Sequence, residues 1–339
     1  MMAAEWQLDL FRPGDAQGVA DLYRSVYGED YHVKSVYNPA QLIAMQDSGE
    51  AYRAVARTGA GEVIGHTAFY RSSPPNQDLY ESGQLLVRHD WRRSMVAIAL
   101  SKFAMAEVPR QHNLGQVWGE AVCNHVFTQR MCRDTGFAET GIEVDLLPGE
   151  AMAQSMDGVN TGRVSAVVVF KAYGPSPQTI YLPPVYAGQL ESVYAGFDHG
   201  HCFAAGDQPP PSDVVTAGKL DIFSGVAVTR MTFSCIGCDF ADCLAGYDNQ
   251  AANSGTVVYQ VFLPLTVPYT GAAVTILRQH GYFFGGVMPR WFGGDALFMQ
   301  KIVGQPNFSN IRLYTDRAKA LLALIRDDWQ TVTSSTAAL

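Results

Sequence analysis

Charge is scarce in this chain. Charged residues make up 17% of its 339 positions, against about 25% in ordinary soluble domains, so much of each domain's surface is expected to lie against a neighbour. Positive charge is scarcer still: 24 Lys and Arg stand against 32 Asp and Glu, a net charge of −8. That balance lacks the basic footprint of non-specific nucleic-acid binding, and leaves open only a local groove for RNA. Long apolar runs are missing too. Stretches such as Ala166 to Phe170 are strand-sized, far short of the roughly 20 residues that span a membrane. The opening Met1-Met2-Ala3-Ala4-Glu5-Trp6 has no basic segment followed by an apolar one, so no export leader is expected. Six cysteines in that context are expected to be reduced thiols of a cytoplasmic protein.

What is present is a hydrophobic content of 47%, enough for packed cores, in a chain long enough for two domains. Strand-like and helix-like segments alternate in the first half, which gives a mixed α/β class. Trp6 to Arg12 alternates as a strand, and Asp15 opens a helix with Val19, Leu22, Tyr23 and Val26 on one face. Asn38-Pro39 starts a second helix, and Thr58-Gly59-Ala60-Gly61 joins two strands as a hairpin. A strand over 79–87 precedes a helix expected over 92–112. Strands over 116–122 and 137–146 flank a short helix over 124–135. The polar stretch 149–162 reads as a long loop, and Tyr173-Gly174-Pro175-Ser176-Pro177 as the linker between domains 1–174 and 178–339.

The halves echo each other faintly. His112-Asn113-Leu114-Gly115, then strand, helix and Gly136-Phe137, has a counterpart in Asn253-Ser254-Gly255, then strand, helix and Gly281-Tyr282. A degenerate duplication is the reading, with chance similarity between two α/β domains as its alternative.

One segment carries recognisable chemistry. Leu85-Leu86-Val87 ends a strand, and Arg92-Arg93-Ser94-Met95-Val96-Ala97 opens the following helix. This resembles the acyl-CoA motif of the GNAT N-acetyltransferases, Q/R-x-x-G-x-G/A, where a helix start binds pyrophosphate through its free amides and positive dipole end. Met95 departs from the pattern by replacing the first glycine. Asn124 after a strand, then Gly136-Phe137 after a helix, is similar to the family's next motif. The resemblance implies two GNAT-like domains, each a mixed twisted sheet flanked by helices, the second degenerate and without the motif. It implies acetyl-CoA or another acyl-CoA as donor, contacted by Leu85 to Val87, Arg92 to Ala97 and Asn124, and an amine of a small molecule or peptide as acceptor.

Acyl transfer to an amine needs a base, an oxyanion stabiliser and a proton for the leaving thiolate. Glu81 stands where the family often places its base. Cys132 replaces the family's usual tyrosine acid, either as a proton donor or, with a lowered pKa, as a nucleophile. His125, at a helix start, is a candidate neutral acceptor of a proton. For each, packing or capping is the competing explanation. Cys235-Ile236-Gly237-Cys238 with Cys243, and His199-Gly200-His201-Cys202, offer soft ligands, but a lone C-x-x-C lacks a second pair, so no metal is expected. Two readings compete with the acyltransferase: a noncatalytic binding or regulatory module, and an enzyme taking its acyl group from a carrier protein or an aminoacyl-tRNA. A homo-oligomer is compatible with each.

Overall fold

The computed structural model describes residues 6–31, 33–149, 162–197 and 200–336. Contacts divide the chain into two compact units, Met1–Gly119 with Arg133–Gly136, and Glu120–Cys132 with Phe137–Leu339. The cut falls after Gly119 and not at residues 175–177. Compactness follows strand pairing, and does not itself decide where a duplicated domain would begin.

In the first unit, five strands run in the order β1 (Trp6–Leu10), β2 (Ala51–Thr58), β3 (Val63–Tyr70), β4 (Tyr80–Val87) and β5 (Gln116–Val122), whose last residues count with the second unit. Neighbours are antiparallel until β4 and β5, which are parallel. A parallel pair needs a crossover, supplied here by α3 (Val96–His112). Helix α1 (Ala16–Tyr27) buries Val19, Leu22 and Tyr23 against Val55, Val63 and Leu86 of the sheet and Leu42 of α2 (Pro39–Asp47). Asn38 caps α2 by accepting from the amides of Ala40 and Gln41. The helix expected to start at Arg92 starts at Val96. Residues 89–91 form a short 3-10 turn, and the Ser94 hydroxyl donates back to the Trp91 carbonyl, which delays the α-helical winding.

The second unit's sheet has the order β7 (Arg163–Ala172), β6 (Ala138–Pro148), β13 (Phe283–Met288), β14 (Ala296–Ile302), β12 (Val258–Pro264), β11 (Val228–Cys235) and β10 (Ala217–Phe223). A small parallel pair, β8 (Thr179–Leu182) and β9 (Cys202–Ala205), lies apart from it. Helix α6 (Phe240–Asn253) crosses from β11 to its parallel neighbour β12, and α7 (Thr270–Gln279) leads on to β13. The helices α4 (Phe127–Asp134), α5 (Ala187–Tyr194) and α8 (Asp316–Thr336) complete the set. One core joins Tyr186, Phe233, Phe240, Phe284 and Ile325. Strand β12 is buried along its whole length, as a central strand covered on both faces requires.

One connectivity occurs twice. The run β4–α3–β5–α4–β6–β7 brings β7 beside β5, and the run β11–α6–β12–α7–β13–β14 brings β14 beside β12. Helix ends repeat as well. After α4, Phe137 N–H reaches the Cys132 carbonyl and Gly136 N–H the Arg133 carbonyl, with Gly136 at φ 85°. After α7, Tyr282 and Gly281 make the same bonds to Leu277 and Arg278, with Gly281 at φ 84°. Both are Schellman caps, whose left-handed residue favours glycine.

Candidate functional site

Strand β4 is irregular where a donor strand would need to be. Its ladder with β3 steps from His66–Leu86 to Ala68–Gly83, so β4 carries one extra residue. Gln84 sits at φ 55°, which makes this a β-bulge with a non-glycine residue in the left-handed region. His66 braces it from beneath. Burial keeps the ring neutral, its pKa pushed down to about 3. Its Nδ1 lies 3.3 Å from the Gln84 carbonyl and 3.3 Å from the Tyr23 hydroxyl. The ladder between β4 and β5 has two rungs, Tyr80–Val117 and Glu81–Trp118, and ends six residues before β4 does. Leu85, Leu86 and Val87 lie in that unzipped stretch.

The helix start beyond β4 is open. No side chain caps α3 by the usual N-cap bond, and Arg92, Arg93, Ser94 and Met95 are all exposed. Met95, the departure from the motif, is 61% exposed and turned to solvent, so its side chain does not plug the helix end. Val96 N–H is held by the Ser94 hydroxyl at 3.3 Å. An anion at this end would meet the positive end of the dipole and two guanidinium groups.

Glu81 is half-buried on β4 and accepts from the Tyr70 hydroxyl at 2.6 Å. Its charge also acts on Tyr31, whose phenol burial pushes far up. Arg92 acts in the opposite sense on Tyr27, pulling down a pKa that burial raises, and Tyr27 and Tyr31 are ring neighbours at 4.9 Å. The first unit therefore brings Glu81 and Arg92 around one tyrosine cluster, a grouping that no local signal marks.

Asn124, His125 and Cys132 belong to the second unit by contacts. The Asn124 Oδ1 atom is buried without a hydrogen-bond partner among the described residues. His125 accepts the Phe127 amide on Nδ1 at 3.2 Å and so caps α4. Burial lowers its pKa, and a neutral ring accepting on Nδ1 carries its proton on Nε2. In this tautomer it is a donor, not a base. Burial and Glu139 push the Cys132 thiol up to about 12, which removes the thiolate needed for nucleophilic attack and makes the group a weaker acid than an ordinary thiol.

The corresponding pair in the second unit is shut. Strands β11 and β12 are joined by five rungs, Val228–Val258 to Thr232–Phe262. Their facing residues Arg230 and Gln260 bond directly, Nε to Oε1 at 2.6 Å. Both also hold Glu143 of β6, fully buried, through Oε1 at 3.2 and 2.7 Å. Burial and the neighbouring Glu120 push Glu143 up to about 8 against the pull of Arg230. The start of α6 is covered as well. Thr216 donates its amide to Asp239 at 2.8 Å and accepts the Gly237 amide at 3.0 Å, and a side chain at Gly237 would strike Val214 and Thr216. Those bonds from Thr216 hold Asp239 below the usual carboxylate range, so a negative charge sits where a phosphate would have to.

Among the described residues no three His, Cys, Asp or Glu side chains converge on a metal position; His199 lies outside them. No described helix is long and apolar enough to cross a membrane. No family model and no curated protein matches the sequence. Among solved structures, the ribosomal-protein-S5-alanine acetyltransferase of Vibrio fischeri aligns at 11% identity and TM-score 0.39, over 51% of this chain and 95% of that one. Spermidine/spermine N-acetyltransferase of Vibrio cholerae aligns at 14% and 0.37, over 50% and 92%. An acetyltransferase of the GNAT family from Desulfovibrio desulfuricans gives 12% and 0.36, over 50% and 99%. Identities and scores this low decide nothing about activity, which rests on the side chains themselves.

Proposed function

We propose that this chain is a tandem GNAT-type N-acyltransferase with one working donor site, on β4 and α3. The observation that carries the reading is the bulged β4, unzipped from β5 and followed by a helix start with two exposed arginines. Strand edges left without ladder partners offer amide and carbonyl groups to an amide-bearing arm, such as pantetheine. Arg92 and Arg93 take the phosphates. In the chemical step an ammonium loses its proton to Glu81 through water, and the freed amine attacks the thioester carbonyl. The C–S bond then breaks, and the second proton of the attacking nitrogen leaves as the amide forms and passes through water to the thiolate. The repeated connectivity and paired Schellman caps support a duplication with domains near 1–174 and 178–339. The five-rung pair and the Asp239 carboxylate support a second copy that binds no donor.

Calorimetric titration with CoA and acetyl-CoA tests this. We expect one site per chain, with affinity falling about a hundredfold or more in an Arg92→Ala/Arg93→Ala variant, since each charge-assisted bond contributes about 1.5–3 kcal/mol. A folded wild-type chain that binds neither ligand would overturn the CoA reading, and would favour a carrier-bound donor or a noncatalytic module.

A further inference from the structure

We propose that the outer edge of β10 is where two copies of this chain pair, antiparallel, about a two-fold axis through Leu220. Among the described residues strand β10 is the last in its sheet, and it bonds to β11 on one side. It is exposed over most of its length, with Ile222 at 37% and Phe223 at 41%. Edges of this kind invite pairing unless something blocks it. A lysine usually does so, because in a symmetric pair it meets itself or an apolar neighbour.

Here the sequence is self-complementary. With Leu220 opposite its own copy, Lys219 faces Asp221 of the partner subunit, and the reciprocal pair forms across the axis. In the same register Phe223 faces Ala217 of the partner subunit, a large exposed side chain against a small one, while the space beside Gly218 is filled by Phe233 and Tyr247 of its own chain, so Ile222 adds nothing to the fit. Moving the axis to Lys219 or Asp221 sets like charges opposite each other. Moving it to Gly218 or Ile222 leaves both charges unpaired. Charge and shape thus select one register, as an isologous interface requires. In the single chain Lys219 and Asp221 already lie 2.9 Å apart on one face of the strand, so both are in place for the exchange.

The test is the mass of the full chain by light scattering, with circular dichroism as a check on folding. We expect a wild-type dimer, and monomers for Lys219→Asp and for Asp221→Lys. An equimolar mixture of those two variants should return to dimers, because an acidic edge then meets a basic one. Exchange of bonds within one chain has no means of producing that rescue. Should a charge reversal fail to fold, Lys219→Gln and Asp221→Asn serve instead, each raising the dimer dissociation constant about tenfold. A wild-type monomer, a dimer unmoved by these substitutions, or a mixture that stays monomeric would each overturn the proposal.

Discussion

The parallel pairs β4–β5 and β11–β12 are each crossed by a single helix, and they differ in nearly everything except connectivity. In the first, β4 bulges at Gln84 and leaves β5 after two rungs. In the second, β11 stays with β12 for five rungs, and Arg230, Gln260 and Glu143 bind the pair across its face. The first crossover helix starts bare beside two arginines; the second starts under Thr216 with a carboxylate in place. Along β4 the ladder to β5 stops early while an extra residue disturbs the ladder to β3; along β11 and β12 the ladder continues and side chains satisfy one another across it.

The comparison can be broken at several points. The largest effect is expected from Glu81→Gln, which should lower turnover by about 10²–10⁴-fold, the usual worth of a general base. Donor affinity by calorimetry should stay unchanged, and a loss of both would mark Glu81 as a structural residue. Next is Arg230→Ala, which strips the clamp from β11 and β12 and leaves Glu143 buried without its cation. Near neutrality Glu143 is mostly protonated, so urea unfolding should show the loss of its hydrogen bonds, about 1–3 kcal/mol. Glu143→Gln sharpens the same point through pH. Because the folded pKa is raised to about 8, the stability Glu143 contributes is complete below its unfolded value near 4.5 and is lost as pH rises through 8. Wild-type stability should therefore fall relative to the Gln variant between pH 5 and 8, by at most about 1.4 kcal/mol per unit, and then run parallel to it. Melts of both proteins across that range decide it. The smallest effects are Gly136→Ala and Gly281→Ala, each costing about 1 kcal/mol of unfolding free energy for a left-handed alanine. Unequal losses would show that the two helix ends bear different loads.

Local signals carried the elements that depend on local chemistry. Asn38-Pro39, the 58–61 hairpin and the Gly136 and Gly281 helix ends were legible because caps and turns are settled by neighbours in sequence. The absence of a phosphate-binding motif in the second half was legible for the same reason. What escaped was non-local. Nothing near Gln84 marks it for the left-handed region, since the bulge is stabilised by His66 and Tyr23, 18 and 61 residues away. Glu143 reads as one more residue in a strand, and its partners Arg230 and Gln260 lie 87 and 117 residues further on. His125 reads as an acceptor of protons from its place at a helix start, yet its Nδ1 is committed to the backbone of its own helix.

Strand β6 meets β13 at Gly141 and Gly286, where a Cβ on Gly286 would stand 2.4 Å from the Gly141 Cα, and one on Gly141 would stand 3.0 Å from the Gly285 carbonyl. Gly286, at φ 131°, has no room for even a methyl group, and Gly141 admits one only where backbone gives way by a few tenths of an ångström. Substitutions over most of the surface can be tried one at a time, but at Gly286 no neighbour's shrinkage makes space, because the neighbour is bare backbone. In a saturation library scored for folded protein, Gly286 should return glycine alone, however freely the strands on either side are rewritten.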